Sequence, residues 1–160
     1  MNEKKEFAGK YALDKYQTYG NCAQAVIWGV SQIIPEIDEQ LIIAAHSLGG
    51  GGTIYGEGAC GPLAGGMLAL GAIFGRPIKD MGEDDHDLNI KLNKELYDKF
   101  HAYFNGHTCQ DFQKKYHDRV FNLSDPLEKK LCKTEDYKNN CERMVLKVSE
   151  WVTELILDNQ

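Results

Sequence analysis

The sequence predicts an all-α fold: a single-domain bundle of six to eight helices, in which a glycine-rich loop leads into a central helix of small residues. Apolar residues recur at spacings of three and four through most of the 160 residues, as on the buried face of a helix. No segment alternates convincingly with the period of two that marks a strand. We expect one domain over residues 1–160, because a chain of this length can bury one hydrophobic core.

The first third of the chain predicts three helices, each with a recognisable start or stop. An amphipathic helix over 3–19 ends where Gly20 can adopt a left-handed conformation. Asn21 is a favourable N-cap for a second helix over 22–34. Asp38 is a favourable N-cap for a third helix, which must end at the four consecutive glycines that follow, because glycine is a poor helix former.

The glycines are unevenly distributed, since 11 of the 16 lie between Gly49 and Gly75. After this loop, the pair Gly61–Pro62 favours a helix start, because proline in the first turn loses no intrahelical hydrogen bond. The helix expected over 61–74 is small and apolar almost all round, which predicts a central position. Four of its glycines are expected to let neighbouring backbones approach closely: Gly61, Gly65, Gly66 and Gly71.

The second half of the chain predicts four more helices. Acidic residues 83–85 can open a long helix at the positive end of its dipole, with an inward face formed by Leu88, Leu92, Leu96, Phe100 and Phe104. Thr108 and Asp111 form a capping pair before a short helix, and Ser124–Pro126 begins another. Asn140 is expected to cap the last helix, whose apolar face comprises Met144, Val145, Val148, Val152, Leu155 and Ile156.

The composition excludes several classes of protein. The 18 Lys and Arg residues against 24 Asp and Glu give a net charge of −6, without the basic stripe that a phosphate backbone requires. We therefore expect no nucleic-acid partner. The charged N-terminal residues lead into no apolar segment, so no secretory signal is expected, and the longest apolar run, 63–74, is too short to span a bilayer. These features predict a cytoplasmic protein without a membrane anchor.

The five cysteines are the residues best able to carry chemistry. Four of them fall at predicted helix N-termini: Cys22, Cys60, Cys109 and Cys141. Unpaired backbone N–H groups and the positive end of the helix dipole favour a thiolate there, and the thiolate is the form that binds metal or attacks a disulfide. We expect at least one of these four thiols to have a lowered pKa, and all four to converge. Cys132, at a predicted helix C-terminus, is expected to lie outside the group.

Other interpretations of these residues remain open. Cysteine is commonly buried as a small apolar residue, and the chain has no Cys-x-x-Cys pair of the zinc-ribbon or thioredoxin type. The formal Gly-x-Gly-x-x-Gly match at 56–61 lacks the preceding strand of a dinucleotide site. His101 and His107 lie off any one helical face, and the acidic run 83–87 lacks the ligand spacing of a calcium loop. We interpret these last three features as structural.

Several segments together resemble the C-GCAxxG-C-C family of redox-active proteins. They are Asn21–Val26, the glycines at 49–52, the segment 58–61 with Gly65, Leu70–Gly71, Gly75–Arg76, and the isolated Cys109 and Cys141. The resemblance covers nearly the whole chain. The family pattern usually continues Cys-Gly-Ala, whereas this chain has Cys60-Gly61-Pro62, and Cys132 has no counterpart in the pattern.

The resemblance implies a small helical domain that is also joined to a haem-binding segment in split-Soret cytochromes, where its cysteines are assigned to an iron–sulfur cluster. It implies a four-thiolate metal site in this chain: Cys22, Cys60, Cys109 and Cys141. We expect an iron–sulfur cluster, with [2Fe–2S] as one form, and backbone contacts to it from Gly58, Ala59 and Gly61. No haem is expected, because the chain has no Cys-x-x-Cys-His motif.

The leading hypothesis is a redox-active protein that transfers electrons or senses redox state, rather than an enzyme with its own substrate. The alternatives are a thiol–disulfide protein that uses the same cysteines without metal, and a structural zinc or interaction module. The expected partner is an unidentified redox protein. We also expect a homodimer, because the central helix and the first and last helices carry more apolar surface than one small bundle obviously buries.

Overall fold

The computed structural model describes residues 2–82 and 87–160. Within these ranges it contains eight α-helices: α1 (Asn2–Tyr19), α2 (Cys22–Ser31), α3 (Glu39–Ala44), α4 (Gly61–Phe74), α5 (Asp87–Phe104), α6 (Cys109–His117), α7 (Pro126–Cys132) and α8 (Glu135–Leu157). Two 3₁₀ turns cover Ala45–Leu48 and Ile78–Asp80. The same ranges hold no strand, only an isolated bridge between Ala59 and Thr108. The all-α prediction is confirmed.

Helix α4 lies at the centre of the bundle, as predicted, and contacts α2, α5 and α8. Its glycines allow this close packing. A Cβ added at Gly65 would lie 2.6 Å from the carbonyl oxygen of Ala23 in α2, and one at Gly66 would lie within 2.9 Å of side chains from α5 and α8. The same expectation for Gly71 is wrong, because a Cβ there would meet no atom within 4 Å.

Most predicted helix starts are confirmed by cap hydrogen bonds. The side chains of Asn21, Asp38 and Asp125 accept backbone N–H groups in the first turns of α2, α3 and α7. Helix α2 ends at Ser31 rather than at Ile34. The proline that follows Ile34 accounts for this, because it disfavours the helical conformation in the residue before it.

The buried face of α1 consists of small residues. Ala8, Gly9 and Ala12 are buried, whereas Phe7 and Tyr11 are 49% and 46% exposed. Small residues let α1 lie close against α2 and α8, which are its main neighbours. Phe7 and Tyr11 therefore stay outside the core.

The expected homodimer stays a prediction.

Helix α5 is described from Asp87 onward, so its predicted acidic opening at 83–85 lies outside the described residues, as does the greater part of the acidic run 83–87. The predicted inward face of α5 is confirmed from Leu92 to Phe104, whereas Leu88 is 39% exposed. The whole predicted apolar face of α8 is buried. Helix α8 packs on α1, α2 and α4, and its buried residues belong to the hydrophobic core.

Candidate functional site

Cys22 is the first residue of α2, where backbone N–H groups surround its thiol. The start is fixed by Asn21, whose side chain accepts the Gln24 N–H at 3.1 Å. Burial raises the pKa of the Cys22 thiol, while the amides of Gly50, Cys22 and Ala23, which hydrogen-bond to the sulfur, act in the opposite direction. The predicted backbone N–H donors at this helix start are therefore confirmed for Cys22.

The amide of Gly50 reaches Cys22 through an unusual loop. Five successive residues, 50–54, have left-handed backbone conformations with φ between 46° and 83°. Glycine adopts such angles freely, but Thr53 and Ile54 are β-branched and are strained in them. Backbone hydrogen bonds to the preceding 3₁₀ turn hold the loop in place. The loop therefore covers Cys22 with backbone rather than with side chains.

Cys60 immediately precedes α4 and lies beside the start of α2. The close approach depends on Gly61, because a Cβ at this position would overlap the sulfur of Cys22. The Cys60 N–H donates to the carbonyl of His107 at 2.7 Å, and its sulfur lies 3.8 Å from that of Met144. The predicted helix start at this point is confirmed, and it brings two of the four thiols together.

Cys109 is the first residue of α6, which begins with the predicted Thr108–Asp111 capping box. The Thr108 hydroxyl accepts the Asp111 N–H at 3.1 Å, and the Asp111 carboxylate accepts the N–H groups of His107 and Thr108 at 3.0 and 2.8 Å. Burial favours a raised pKa for Asp111, but these hydrogen bonds to the carboxylate outweigh it and lower the pKa. These hydrogen bonds join three residues around the start of α6: His107, Thr108 and Asp111.

Two buried side chains hydrogen-bond to the sulfur of Cys109. The hydroxyl of Tyr137 lies 3.3 Å from it, and the Gln113 Nε2 donates to it at 3.5 Å. Gln113 is fixed in this orientation because its Oε1 accepts the N–H of Phe121 at 2.7 Å. These contacts are buried, so they do not compete with water.

Cys141 lies inside α8 rather than at its start. The helix begins at Glu135, so the predicted start at Asn140 is wrong. Asn140 occupies the second turn, where its side-chain amide donates to the carbonyl of Asp136, four residues earlier. Two acidic residues in the first turn favour the earlier start through the helix dipole. Cys141 therefore receives no helix-start amides.

Tyrosine hydroxyls take the place of those amides. Burial raises the pKa of Cys141, and the charges of Cys22 and Cys109 raise it further. The hydroxyls of Tyr137 and Tyr16 hydrogen-bond to the Cys141 sulfur and act in the opposite direction. Tyr137 lies one turn before Cys141 on α8, whereas Tyr16 reaches it from α1.

All four cysteines lie within electrostatic reach of one another. Burial raises the pKa of Cys60 well above its usual range, and the charges of Cys22, Cys109 and Cys141 add to the effect. Cys22 and Cys109 act in the same way on Cys141, and Cys109 acts on Cys22. These pairwise effects show that the four thiols, from four separate helical elements, lie close enough for their charges to interact.

The helix starts do not lower the net pKa of Cys22 or Cys60. The pKa is raised at Cys22, Cys60 and Cys141, with burial as the largest cause in each case. Transfer of a thiolate from water into this buried site is unfavourable by more free energy than the hydrogen bonds from the amides supply. Neighbouring sulfurs also repel one another when they are ionised. A neutral thiol is consequently favoured until a cation replaces its proton.

Cys132 is the last residue of α7 and is 1% exposed, which confirms its predicted C-terminal placement. Burial, followed by the charge of Cys109, raises its pKa to about 12, while a hydrogen bond from Tyr137 acts in the opposite direction. Cys132 thus borders the four-cysteine site without sharing its backbone donors.

The three backbone positions expected to contact a cluster lie in different surroundings. Gly61 is buried against Cys22, and its amide hydrogen-bonds to the sulfur of Cys60. The N–H of Gly58 donates to the Gly51 carbonyl at 2.9 Å, and Ala59 is exposed. The loop amide that hydrogen-bonds to a thiol belongs instead to Gly50, which sequence reasoning missed.

Sequence reasoning also missed three side chains that contact the thiols: Gln113, Tyr137 and Tyr16. Two of them carried a usable signal, because Gln113 follows Cys109 by four residues and Tyr137 precedes Cys141 by four. Side chains four apart on a helix lie on the same face. Tyr16 carried no such signal, since its contact with Cys141 joins the first and last helices.

The donor set suits a negatively charged group bound through sulfur. Four thiols are surrounded by backbone N–H, amide and phenol donors, which stabilise charge on sulfur better than they stabilise a neutral thiol. In the described part of the chain, no group of three or more His, Cys, Asp or Glu side chains is arranged as a site for a metal ion. His101 and His107 pack ring against ring, with centroids 6.2 Å apart.

The described residues form an all-α bundle in which four cysteine thiols lie within electrostatic reach of one another. The family model described as "Putative redox-active protein (C_GCAxxG_C_C)" matches residues 20–155, and the chain belongs to this family. No curated protein and no solved structure gives a significant match. Among the helices of the described ranges, none is long and apolar enough to cross a membrane.

Proposed function

We propose that Cys22, Cys60, Cys109 and Cys141 hold an iron–sulfur cluster, and that the protein uses it for one-electron transfer or redox sensing. The observation that supports this proposal is that the thiols of Cys22, Cys60, Cys109 and Cys141 lie within electrostatic reach of one another and beside hydrogen-bond donors. A set of ligands made only of thiolates suits iron–sulfur clusters, which are held in most proteins by four cysteines.

The electrostatics of the metal-free site support a bound cation. Burial and the neighbouring sulfurs raise the pKa of Cys60 and Cys141, so free thiolates at these two positions are unfavourable. Iron replaces the thiol protons and neutralises the charge that the sulfurs would otherwise carry. Protonated, largely buried thiols are poor nucleophiles, which disfavours a thiol–disulfide protein that uses the same residues.

The chain's own residues would each have a definite part in such a site. The four thiolates would bind iron, and the cluster would supply a single-electron acceptor and donor. The amides at Gly50 and Gly61 would donate to sulfur on the α2 and α4 side. Tyr137 and Gln113 would do so on the α6 and α8 side. Burial among the core side chains would limit access of water and oxygen.

The partner and compartment follow from the same proposal. Cys22 and Cys141 are partly exposed, whereas Cys60 and Cys109 are buried, so the site approaches the surface on the side of α2 and α8. A redox protein would exchange electrons with the cluster at that surface. All five cysteines are free thiols, which suits a reducing compartment such as the cytoplasm.

Visible absorption after anaerobic purification and iron–sulfide reconstitution tests the proposal. The protein should be coloured and should contain iron and acid-labile sulfide. Each of the four variants Cys22→Ala, Cys60→Ala, Cys109→Ala and Cys141→Ala should lose most of the colour. Cys132→Ala, which removes a buried thiol outside the group, should keep the colour.

Two results would contradict the proposal in different ways. Colourless protein with one tightly bound zinc would make the site structural. Colourless, metal-free protein whose cysteines cycle between thiol and disulfide would make it a thiol–disulfide protein. Circular dichroism of every variant separates loss of the site from loss of the helical fold.

A further inference from the structure

Tyrosine hydroxyls contact only one side of the four-cysteine site. The hydroxyl of Tyr137 lies 3.3 Å from the Cys109 sulfur, and the Tyr137 residue is 9% exposed. It also hydrogen-bonds to Cys141, which receives a second hydroxyl from Tyr16. Cys22 and Cys60 receive only backbone amides among the contacts of the described residues that act on their thiols.

The state of the thiols fixes the direction of these hydrogen bonds. A phenol has one proton, and a thiolate bound to a cation has none to offer, so the phenol must be the donor. A phenol keeps its proton at neutral pH, because its ordinary pKa is about 10. Each hydroxyl therefore points a fixed partial positive charge at sulfur.

Cys132 gives Tyr137 a further constraint. Its sulfur is also a hydrogen-bond partner of the Tyr137 hydroxyl, and its pKa of about 12 keeps it a thiol at neutral pH. A thiol can donate weakly to the phenol oxygen, which leaves the single phenol proton for a ligand sulfur. The fifth cysteine thereby acquires a part in orienting the hydroxyl.

We propose that Tyr137 and Tyr16 are positioning residues that raise the reduction potential of the group bound by the four cysteines, through hydrogen bonds to the sulfurs of Cys109 and Cys141. This inference rests on the proposed function. Tyr16 also lies outside the residues matched by the family model, 20–155.

The redox step involves one electron and no change of bonds or protons. A one-electron donor, such as a low-potential carrier protein, is oxidised as the bound group is reduced, and the added negative charge is shared with the four sulfurs. Hydrogen bonds to sulfur become stronger as its charge increases. Removal of a hydroxyl therefore penalises the reduced state more than the oxidised state, and the potential falls.

The test is an anaerobic, dye-equilibrated potential titration of the reconstituted protein with dithionite, followed by visible absorption. Tyr137→Phe keeps the ring and removes the hydroxyl. A lost hydrogen bond of about 1 kcal/mol changes the equilibrium constant for reduction about fivefold, which is about 40 mV lower for one electron. Tyr16→Phe should shift the potential in the same direction.

Tyr116→Phe is the matched control. Tyr116 is a partly buried tyrosine of α6 that stacks on Phe112, and its hydroxyl has no sulfur partner among the described residues. Its variant should keep the wild-type potential. Cys132→Ser, which retains a donor to the Tyr137 oxygen, should also stay closer to wild type than Cys132→Ala does.

The possible results distinguish a failure of the tyrosine inference from a failure of the proposed function. Loaded Tyr137→Phe and Tyr16→Phe proteins with unchanged potentials would overturn this inference and leave the proposed function intact. A wild-type protein that takes up no cluster would overturn both. If Tyr137→Phe fails to fold, Tyr16→Phe alone decides, since Tyr16 lies on a different helix and is only partly buried.

Discussion

The two halves of the cysteine site are built by different parts of the polypeptide. Around Cys22 and Cys60 the donors are backbone amides, supplied by two helix starts and a left-handed glycine loop. Around Cys109 and Cys141 they are largely side chains: Tyr137, Gln113 and Tyr16. The first half depends on positions where no side chain fits, and the second depends on side chains that reach across helices. Each half should therefore fail under a different kind of substitution.

The largest expected effect concerns what both halves share, the burial of thiols. The pKa of Cys22, Cys60 and Cys141 is raised in the folded protein, whereas an unfolded thiol ionises near pH 8.5. As pH rises above 8.5, the unfolded state loses protons first, so stability falls. By pH 9.5 the reduced, metal-free protein should lose about 1.4 kcal/mol for each thiol whose folded pKa stays well above that pH, which is about 4 kcal/mol for Cys60, Cys132 and Cys141 together.

Urea unfolding of the reduced, metal-free protein at pH 7.5, 8.5 and 9.5 measures this loss. Cys60→Ala is the control, since it removes one buried thiol and should make the dependence on pH less steep. Stability that is constant over this range would show that the thiols ionise as freely in the fold as in the unfolded chain.

The backbone half is tested by adding one methyl group to a glycine of α4. Gly65→Ala places a Cβ 2.6 Å from the Ala23 carbonyl oxygen, so α2 and α4 must separate. We expect a loss of about 3 kcal/mol in the free energy of unfolding. Gly71→Ala, on the same helix but in open space, should instead gain about 0.5–1 kcal/mol. Equal effects of the two substitutions would refute the close-contact argument.

The start of α6 tests how Cys109 is positioned. Thr108→Ala removes a hydrogen bond of the capping box and should cost about 1 kcal/mol. Thr134 precedes α8 but makes no side-chain cap hydrogen bond, so Thr134→Ala should cost only a few tenths of this. Chemical denaturation of both variants gives the comparison. A larger loss at Thr134 would contradict the assigned caps.

The left-handed loop over 50–54 tests the effect of backbone strain on the free energy of unfolding. Ile54 has φ of 57°, a strained conformation for a β-branched residue, and its side chain is 37% exposed. Ile54→Gly should therefore raise the free energy of unfolding by about 1 kcal/mol. Gly52→Ala, with φ of 83° and open space around it, should lower it by about 1 kcal/mol for the same reason. A destabilised Ile54→Gly protein would mean that side-chain contacts outweigh the strain.

The sequence was informative where local chemistry decides the structure. The helix starts at Cys22, Gly61 and Cys109 are set by neighbouring caps, glycine and proline, and these signals are visible in a few residues. The predicted start of α8 was wrong because an asparagine side chain can hydrogen-bond to the backbone in two ways. It can cap a helix start, or, as Asn140 does, it can donate to a carbonyl one turn earlier in the same helix. Local pattern cannot decide between the two.

Tertiary effects account for the rest of what the sequence did not predict. The thiol pKa depends on burial by distant elements, and this reverses the effect of the helix starts. The contact between Tyr16 and Cys141 joins residues far apart in the chain. The left-handed conformations at Thr53 and Ile54 are imposed by the loop's hydrogen bonds against the preference of β-branched residues.

Anomalous diffraction at the iron absorption edge, from crystals of the anaerobically reconstituted protein, tests the central claim most directly. The claim is that the two halves form one four-thiolate site. It predicts one compact group of iron peaks per chain, two for a [2Fe–2S] cluster, with each of the four sulfurs within bonding distance of an iron: Cys22, Cys60, Cys109 and Cys141. Absence of iron, a peak bound to only one half of the site, or coordination by Cys132 would contradict it.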